Sequence, residues 1–362
     1  MGVYVSVGVR FLLNVEALNM VESIGNLTKH RRAPLVIPDE KGGYKLVYVP
    51  AISGESFAHA IQENLVNVAK VLWKEPPVDE WSLRGEFFKF GDQKHMPDDL
   101  KEIFIKCSNK AKKTKNVREI AELKHLVERE AIRLSIVADV GGFLIAEIFP
   151  VKRTSPLSVG YIVPVYDAIE ATALESQFHV RHVPSETKEG GGARGEESEE
   201  RARAAQMIYY VEVGSALYGA TINLDVSKIG RTSLIKIEDV VGEEERRKRV
   251  KASLLAIALT VSELSFGAKR SRFNPIGETL EVLAAISHPK PFTVSPPHNN
   301  DYMEVTQKRA RNFISLLGRA GIEGEVRLLG YRREGGIPSG IESFSTPEEL
   351  FERMIEVVEG LI

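Results

Sequence analysis

A basic run between Glu22 and Pro34 contains the residue types that bind a phosphate backbone. Within seven residues it carries an amide, a hydroxyl and four basic side chains: Asn26, Thr28, Lys29, His30, Arg31 and Arg32. Cationic and neutral donors in one segment suit the oxygens of a nucleic-acid backbone. A solvated surface turn would have the same composition, so the run alone leaves both interpretations open.

A second basic segment, SFGAKRSRFNPIG at 265–277, places Lys269, Arg270 and Arg272 between Phe266 and Phe273. A Gly- and Pro-punctuated basic loop with aromatic neighbours suits single-stranded nucleic acid, because bases stack on rings while phosphates pair with cations. A charged surface loop anchored by two phenylalanines explains the pattern equally well.

The start of the first predicted helix is a third candidate. Ser53 is a good N-cap for an amphipathic helix that runs to about Trp73, and Gly54, Ser56 and His59 follow it closely. The positive end of a helix dipole can hold a phosphate. Ordinary capping explains the same residues and is the favoured interpretation.

The segment QFHVRH at 177–182 alternates in a strand-like way and predicts a hairpin arm with Gln177, His179 and Arg181 on one face. His179 and His182 have the spacing of a helical metal pair. However, the strand-like pattern and the lack of a carboxylate or cysteine at ligand spacing argue against a metal site.

Composition limits the classes of function. The net charge of −2 gives no global field that would attract nucleic acid, so any such site must be a local patch. One cysteine, Cys107, excludes an intrachain disulfide framework and indicates a reducing, cytoplasmic location. No stretch approaches the roughly 20 apolar residues of a membrane span. There is no P-loop, HD pair or carboxylate cluster, so no cofactor and no metal are expected.

The elements that must position these residues follow a recognisable order. Alternation over 3–15 predicts a strand whose even-numbered face leaves room for something laid across it. Helix 53–73, hairpin strands 207–213 and 219–226 with a turn near Gly214–Gly219, helix 244–264 and strand 278–286 follow. This βαββαβ order predicts an α+β, ferredoxin-like or RNA-recognition-like core with large insertions. The first basic segment follows the first strand, and the second basic segment precedes the last strand. Because these two strands are close together in a ferredoxin-like sheet, the two segments should also lie close together.

Four pieces of sequence, taken in order, resemble the DevR-type CRISPR-associated autoregulator family over essentially the whole chain. They are NVEALNMVESIGNLTKHRRAP, YVPAISGESFAHAI, QFHVRH and FGAKRSRFNP. The resemblance implies a backbone subunit of an archaeal type I-A Cascade complex. It also implies a palm (1–74 with 150–362), a thumb hairpin at about 165–206 and an inserted finger-like domain (75–149).

The same resemblance implies a function without catalysis. Several copies would stack head to tail on one guide crRNA, hold it by its sugar-phosphate backbone and leave its bases free to pair with target DNA. Other Cascade subunits would be further partners. The residues implied in RNA binding are the four groups above: Asn26, Lys29, His30, Arg31, Arg32, Ser53, Gly54, Ser56, His59, Gln177, His179, Arg181, Lys269, Arg270 and Arg272.

An endoribonuclease of the same superfamily is the alternative. A metal-independent ribonuclease needs a general acid or base beside a 2′-hydroxyl, which His30 or His179 could supply. Target-RNA cleavage by a thumb aspartate is a second version, and Asp167 is the only aspartate near that region.

Overall fold

The computed structural model describes residues 2–39, 41–182 and 206–362, and these form an α+β protein. Fourteen strands occur in this part of the chain: β1 (Tyr4–Glu16), β2 (Met20–Ile24), β3 (Leu27–His30), β4 (Arg32–Pro38), β5 (Tyr44–Pro50), β6 (Phe143–Ile145), β7 (Val151–Arg153), β8 (Leu157–Val159), β9 (Val163–Pro164), β10 (Ala173–His182), β11 (Gln206–Asp225), β12 (Ile276–His288), β13 (Glu325–Arg332) and β14 (Glu342–Phe344).

Eight α-helices accompany the strands in the same residues: α1 (Gly54–Leu72), α2 (Glu80–Leu83), α3 (Asp98–Ala111), α4 (Val117–Leu134), α5 (Ile136–Gly141), α6 (Glu243–Glu263), α7 (Tyr302–Arg319) and α8 (Pro347–Glu359). The predicted helices 53–73 and 244–264 are confirmed as α1 and α6 to within one residue at each end, whereas α3 was not predicted. Among the described residues, no helix is long and apolar enough to cross a membrane.

Ten strands form one mixed sheet that organises the protein. Its main path runs β14-β13-β12-β1-β11-β3-β2, and β8, β9 and β10 also pair with β11. The predicted first strand is confirmed as β1, which pairs antiparallel with both β11 and β12. Helices α1, α6 and α8 supply apolar residues such as Phe57, Ile257 and Met354 to the core on one face of this sheet.

The hairpin predicted with a turn near Gly214–Gly219 is wrong, because β11 runs unbroken through both glycines. Both glycines permit close packing against other parts of the chain. A Cβ on Gly214 would lie 2.7 Å from the Glu16 carboxylate, and one on Gly219 would lie 2.9 Å from the His298 ring. Glycine in a strand marks either a bend or a close approach, and here it marks the approach.

The even-numbered face of β1 is covered by the chain's own C-terminal part, which corrects the expectation of an open face. Ser6, Gly8 and Arg10 face this C-terminal part, and the side chains of Ser6 and Arg10 are buried. The Ser6 hydroxyl accepts a hydrogen bond from the Val294 amide at 3.1 Å, and a Cβ on Gly8 would lie 3.1 Å from the Val294 side chain. In the described residues, the middle of this face, from Ser6 to Arg10, is therefore closed to a ligand.

Residues between α2 and β7 build a hydrophobic core of their own, with Phe104, Val127 and Phe143 at its centre. A buried ionic cluster fastens this part to the large sheet. Asp139 lies 2.6 Å from Arg153 Nη2 and 3.0 Å from Arg249 Nη1, and none of the three side chains is more than 1% exposed. This part of the chain is therefore joined to helix α6, which packs on the large sheet, by charge pairs as well as by apolar contact.

Candidate nucleic-acid interface

Asn19, just beyond the end of β1, joins two of the predicted groups. Its carbonyl oxygen accepts the Arg31 amide at 2.8 Å, and its side-chain Oδ1 accepts Arg31 Nε at 2.6 Å. The same Oδ1 accepts the Ser53 amide at 3.1 Å. One amide side chain therefore sets the position of a basic residue and of the first turn of α1.

The neighbouring residue, Leu18, holds the second basic segment. Its carbonyl oxygen accepts the Ala268 amide at 2.8 Å. Gly267 has φ of +82°, and a Cβ there would lie 2.6 Å from the Leu18 side chain, so only glycine fits. The two basic segments, far apart in sequence, thus meet at Leu18 and Asn19, as their places on adjacent strands predicted.

Backbone and packing give the second basic segment a defined shape. Lys269 has a positive φ of 56°, and its carbonyl oxygen accepts the Arg272 and Phe273 amides at 3.0 Å each. Burial, with a contribution from nearby Arg272, lowers the pKa of Lys269. Phe266 is buried between Phe11 and Phe57, so it anchors the loop and is not available to stack on a base.

The segment QFHVRH lies on an arm of the large sheet. The arm is defined here as β10 with its partner residues Gln206–Ser215 of β11. The His179 ring stacks on Tyr209 with centroids 5.3 Å apart, and Phe273 meets His179 edge-on at 5.3 Å. Arg272 Nη1 lies 3.3 Å from the Tyr209 hydroxyl. This face of the arm therefore contacts the second basic loop. Gln177 is exposed on it, whereas the side chain of Arg181 lies outside the described residues.

The first basic run, for which a solvated surface turn was one of the two interpretations, folds as the hairpin β2–β3 followed by β4. The carbonyl oxygen of Asn26, at the hairpin tip, accepts the Tyr210 amide at 2.8 Å and attaches the tip to β11. Lys29 is half-exposed, 3.8 Å from Glu22. Arg32 donates to Glu212 at 3.1 Å with more than half of its side chain exposed. Regular pairing thus holds the cations in place.

His30 is the member of the run that cannot contact RNA, because it is buried. Its Nε2 lies 2.6 Å from Glu16 Oε1, and its Nδ1 lies 2.7 Å from the Arg31 carbonyl oxygen. Burial acts to lower the pKa of His30, but the hydrogen bond to Glu16 and the charge of Glu16 outweigh it and raise that pKa. Burial likewise opposes the charge of Glu16, yet His30 lowers the pKa of this carboxyl overall. With both nitrogens engaged, the predicted role of His30 as an RNA contact or general base is wrong.

The start of α1 is capped as expected. The Ser53 hydroxyl accepts the Ser56 amide at 3.2 Å, and Ser56 is half-buried. A Cβ on Gly54 would lie 2.3 Å from the Val159 carbonyl oxygen, so this glycine permits packing of the helix against β8. His59 is exposed one turn further on, 3.3 Å from Glu63 and edge-on to Phe87, away from Asn19.

Asp167, the candidate aspartate for cleavage, pairs with a buried arginine. Both of its carboxylate oxygens lie 2.6 Å from Arg10 Nη2. A carboxylate that neutralises a buried cation serves the fold, because removing it leaves that cation unpaired.

The residues that sequence reasoning missed are Asn19, Tyr209 and Glu16. Each acts through one contact with a residue far away in the chain, and no local pattern marks such a contact. The resulting arrangement holds Arg31 at Asn19 and the loop that contains Lys269 and Arg272 at Leu18. Lys29 and Arg32 lie on the strands on either side of Arg31, while Arg270 is engaged with Asn274 inside its own loop. Fixed cations suit the oxygens of phosphates, whose contacts position a protein on a nucleic acid without reading its sequence.

Comparison with known proteins gives concordant matches. The family model "CRISPR-associated negative auto-regulator DevR/Csa2" matches residues 7–307. "CRISPR-associated aCascade subunit Cas7/Csa2 2" of Saccharolobus solfataricus is 36% identical over 364 aligned residues, which cover 97% of this chain and 99% of that protein. "CRISPR-associated protein Cas7/Cst2/DevR" of Methanocaldococcus jannaschii is 28% identical and covers 96% of this chain and 97% of its own. A chain of a solved "CRISPR RNA-guided surveillance complex" aligns over 98% of this chain and 99% of its own at 11% identity and a TM-score of 0.48.

Proposed function

The chain belongs to the DevR/Csa2 family of CRISPR-associated proteins, and we propose that it is a backbone subunit of a type I-A Cascade complex. Several copies bind one guide crRNA head to tail by its sugar-phosphate backbone. Its bases stay free to pair with target DNA, so that pairing reads sequence while the protein reads shape. Other Cascade subunits bind the resulting filament, and the subunit itself performs no chemistry.

The observation that carries this proposal is the convergence on Leu18 and Asn19. The Asn19 side chain accepts hydrogen bonds from Arg31 and from the Ser53 amide. The Leu18 carbonyl oxygen binds the loop that contains Lys269 and Arg272. His179 contacts the same loop through Phe273. Four segments with basic or neutral donors thus border one place. Such a surface suits a backbone of regularly spaced phosphates.

The topology supports an RNA-recognition-like palm. The order β12-β1-β11, with α1 after β1 and α6 after β11, follows βαββαβ connectivity if β8 and β9 serve as the second strand. In this proposal the palm comprises 1–74 with 150–362. The separately cored insertion, 75–149, is the finger-like domain. The thumb at about 165–206 contains strand β10 of the arm, and its residues 183–205 lie outside the described residues.

A role without catalysis is supported by the state of the candidate catalytic groups. Both nitrogens of His30 are engaged and Asp167 neutralises Arg10. His179 is stacked on Tyr209 and serves in this proposal to shape the arm.

The test is to mix the purified protein with single-stranded RNAs of increasing length. The mass of the complex should grow stepwise with length, as mass photometry can measure. A complex that stays at one copy per RNA of any length would rule out the backbone role. Release of shortened RNA that depends on His179 would instead favour the endoribonuclease.

Alanine variants of Lys29, Arg31 and Arg32 test the site itself. Each should weaken binding to all RNA sequences alike and reduce the slope of log K against log salt by about 0.7 for each phosphate that the variant no longer neutralises. Arg353→Ala, on the distant helix α8, is the matched control and should bind as the wild type does. Weakening that depended on RNA sequence would indicate base readout instead.

A further inference from the structure

The two-stranded ribbon formed by β4 and β5 has one fully exposed apolar face. Its directly opposed pairs Pro34–Tyr48, Val36–Leu46 and Pro38–Tyr44 all lie on this face, and all six residues are exposed. The other face, with Leu35 and Val49, packs in one apolar cluster with Val163. Strands that are apolar on both faces are typical of sheets covered on both sides. One side of this ribbon therefore lacks its cover in the described part of the chain.

The area of the ribbon's exposed face is about what one of two partners contributes to an interface. Tyr44 and Tyr48 are 77% and 70% exposed. At about 150–250 Å² for each aromatic side chain, they leave roughly 200–350 Å² uncovered. Val36 and Leu46 are 60% and 57% exposed, and with the two prolines they bring the face to the order of 500 Å². That is close to half of the roughly 1,000 Å² that a specific interface requires.

The arm carries a second bare apolar face. Phe178 opposes Tyr210 and Val180 opposes Ile208, which places all four on the side away from His179 and the basic loop. Phe178, Val180 and Ile208 are 54%, 40% and 46% exposed. The ribbon face and this arm face are thus both exposed in the described residues, so they do not cover each other within one copy.

The chemistry of the ribbon face favours an apolar partner. None of its six side chains is charged, so it offers nothing to a phosphate backbone. Two unlike patches on one chain make a heterologous contact, which repeats from copy to copy in one direction and forms an open filament unless the rotation between copies closes a ring. A contact between two ribbon faces would instead close a dimer.

We propose that the apolar ribbon face (Pro34, Val36, Pro38, Tyr44, Leu46, Tyr48) is where the apolar arm face (Phe178, Val180, Ile208, Tyr210) of a second copy docks. This inference rests on the proposed function, because it specifies how neighbouring copies on one guide meet. It adds the pair of surfaces that join them.

The test uses one variant of each face, Leu46→Glu and Phe178→Glu, on RNA long enough for several copies. Leu316→Glu, at a 64% exposed leucine of α7, is the control. When the protein is limiting, mass photometry should show two RNA populations for the wild type and for the control, one fully covered with protein and one without protein. Two such populations indicate cooperative loading. Each face variant should lose this cooperativity and load RNA at random.

An equal mixture of the two variants distinguishes the possible contacts. A Phe178→Glu copy keeps its ribbon and a Leu46→Glu copy keeps its arm, so the mixture should show an excess of pairs but not of longer runs. Cooperative loading by either variant alone, or random loading by the mixture, would overturn the inference.

Short RNA that holds one copy separates this inference from the proposed function. Both variants should bind it with wild-type affinity. If Leu46→Glu weakens that binding, the ribbon contacts nucleic acid and the inference is wrong. If the wild type itself fails to bind RNA, the proposed function fails instead.

Discussion

The imidazole of His30 and the carboxylate of Glu16 form a buried ion pair, with 2.6 Å between Nε2 and Oε1. Glu16 also accepts the Tyr218 hydroxyl at 2.8 Å through Oε1 and the Leu18 amide at 2.7 Å through Oε2. The pair therefore links the end of β1, the hairpin β2–β3 and β11. The pair also fixes the backbone at Leu18 and, through it, the neighbouring Asn19, because Glu16 accepts the Leu18 amide.

Replacing His30 should reduce stability without removing a phosphate contact. His30→Ala leaves the buried charge of Glu16 unpaired, which typically costs about 3–5 kcal/mol. Urea unfolding measures the decrease. His59→Ala, at an exposed histidine paired with Glu63, is the matched control and should stay within about 0.5 kcal/mol of the wild type. The salt slope for RNA should be unchanged in both, and a lower slope for His30→Ala would contradict its structural role.

The stability of the pair should depend on pH in a defined direction. The folded-state pKa of His30 is raised, so its contribution is full below the unfolded value of about 6.5 and is lost as pH rises through the folded pKa. The folded-state pKa of Glu16 is lowered, so its contribution is full above about 4.3 and is lost as pH falls through the folded pKa. The difference in unfolding free energy between wild type and His30→Gln should therefore be larger near pH 6 than near pH 9. An equal difference at both values would show that His30 is neutral.

Asn19 should matter for RNA binding although it is uncharged. Asn19→Ala removes the acceptor of both Arg31 Nε and the Ser53 amide, so two groups of the proposed site lose their common anchor. We expect affinity to fall about tenfold, equivalent to about 1.4 kcal/mol. The salt slope should change little because no phosphate partner is deleted. Asn67→Ala, at an exposed asparagine of α1, should bind normally. Fluorescence anisotropy across a salt series would reveal either outcome.

Gly267→Ala should displace the second basic loop. The new Cβ would lie 2.6 Å from Leu18 at a φ of +82°, so the loop would have to leave its place. We expect weaker RNA binding and a decrease in stability of about 1–3 kcal/mol, the usual cost of a strained backbone position. Gly318→Ala, with nothing within 4 Å of the added Cβ, should leave RNA binding unchanged. Normal binding by Gly267→Ala would show that the position of the loop is unimportant.

Asp139→Asn should loosen the part of the chain between α2 and β7 from helix α6. It leaves Arg153 and Arg249 with less negative charge in a site that excludes solvent, at a typical cost of about 3–5 kcal/mol. Limited proteolysis should then cut between α2 and β7 faster than in the wild type. The comparison is Asp99→Asn, whose exposed carboxylate lies 3.5 Å from Arg133 and should matter little. Equal cutting of the two variants would argue against a fastening role.

The sequence by itself determined the main elements and the family. Alternation over 3–15 and the apolar periodicity of 53–73 and 244–264 predicted β1, α1 and α6 because burial of one face leaves a local, periodic mark. The turn at Gly42-Gly43 between two short apolar runs is likewise a local mark, and it lies where β4 pairs with β5. The four motifs pointed to the DevR family, which the family match confirms.

Only the tertiary structure decided what the individual polar residues do. His30 and Arg31 are adjacent and both basic, yet one is buried against Glu16 and the other is held by Asn19 at the surface. Gly214 and Gly219 looked like a turn and proved to be sites of close packing against Glu16 and His298. The physical reason is that burial, charge pairing and close approach depend on partners far away in the chain, and a local pattern carries no record of them.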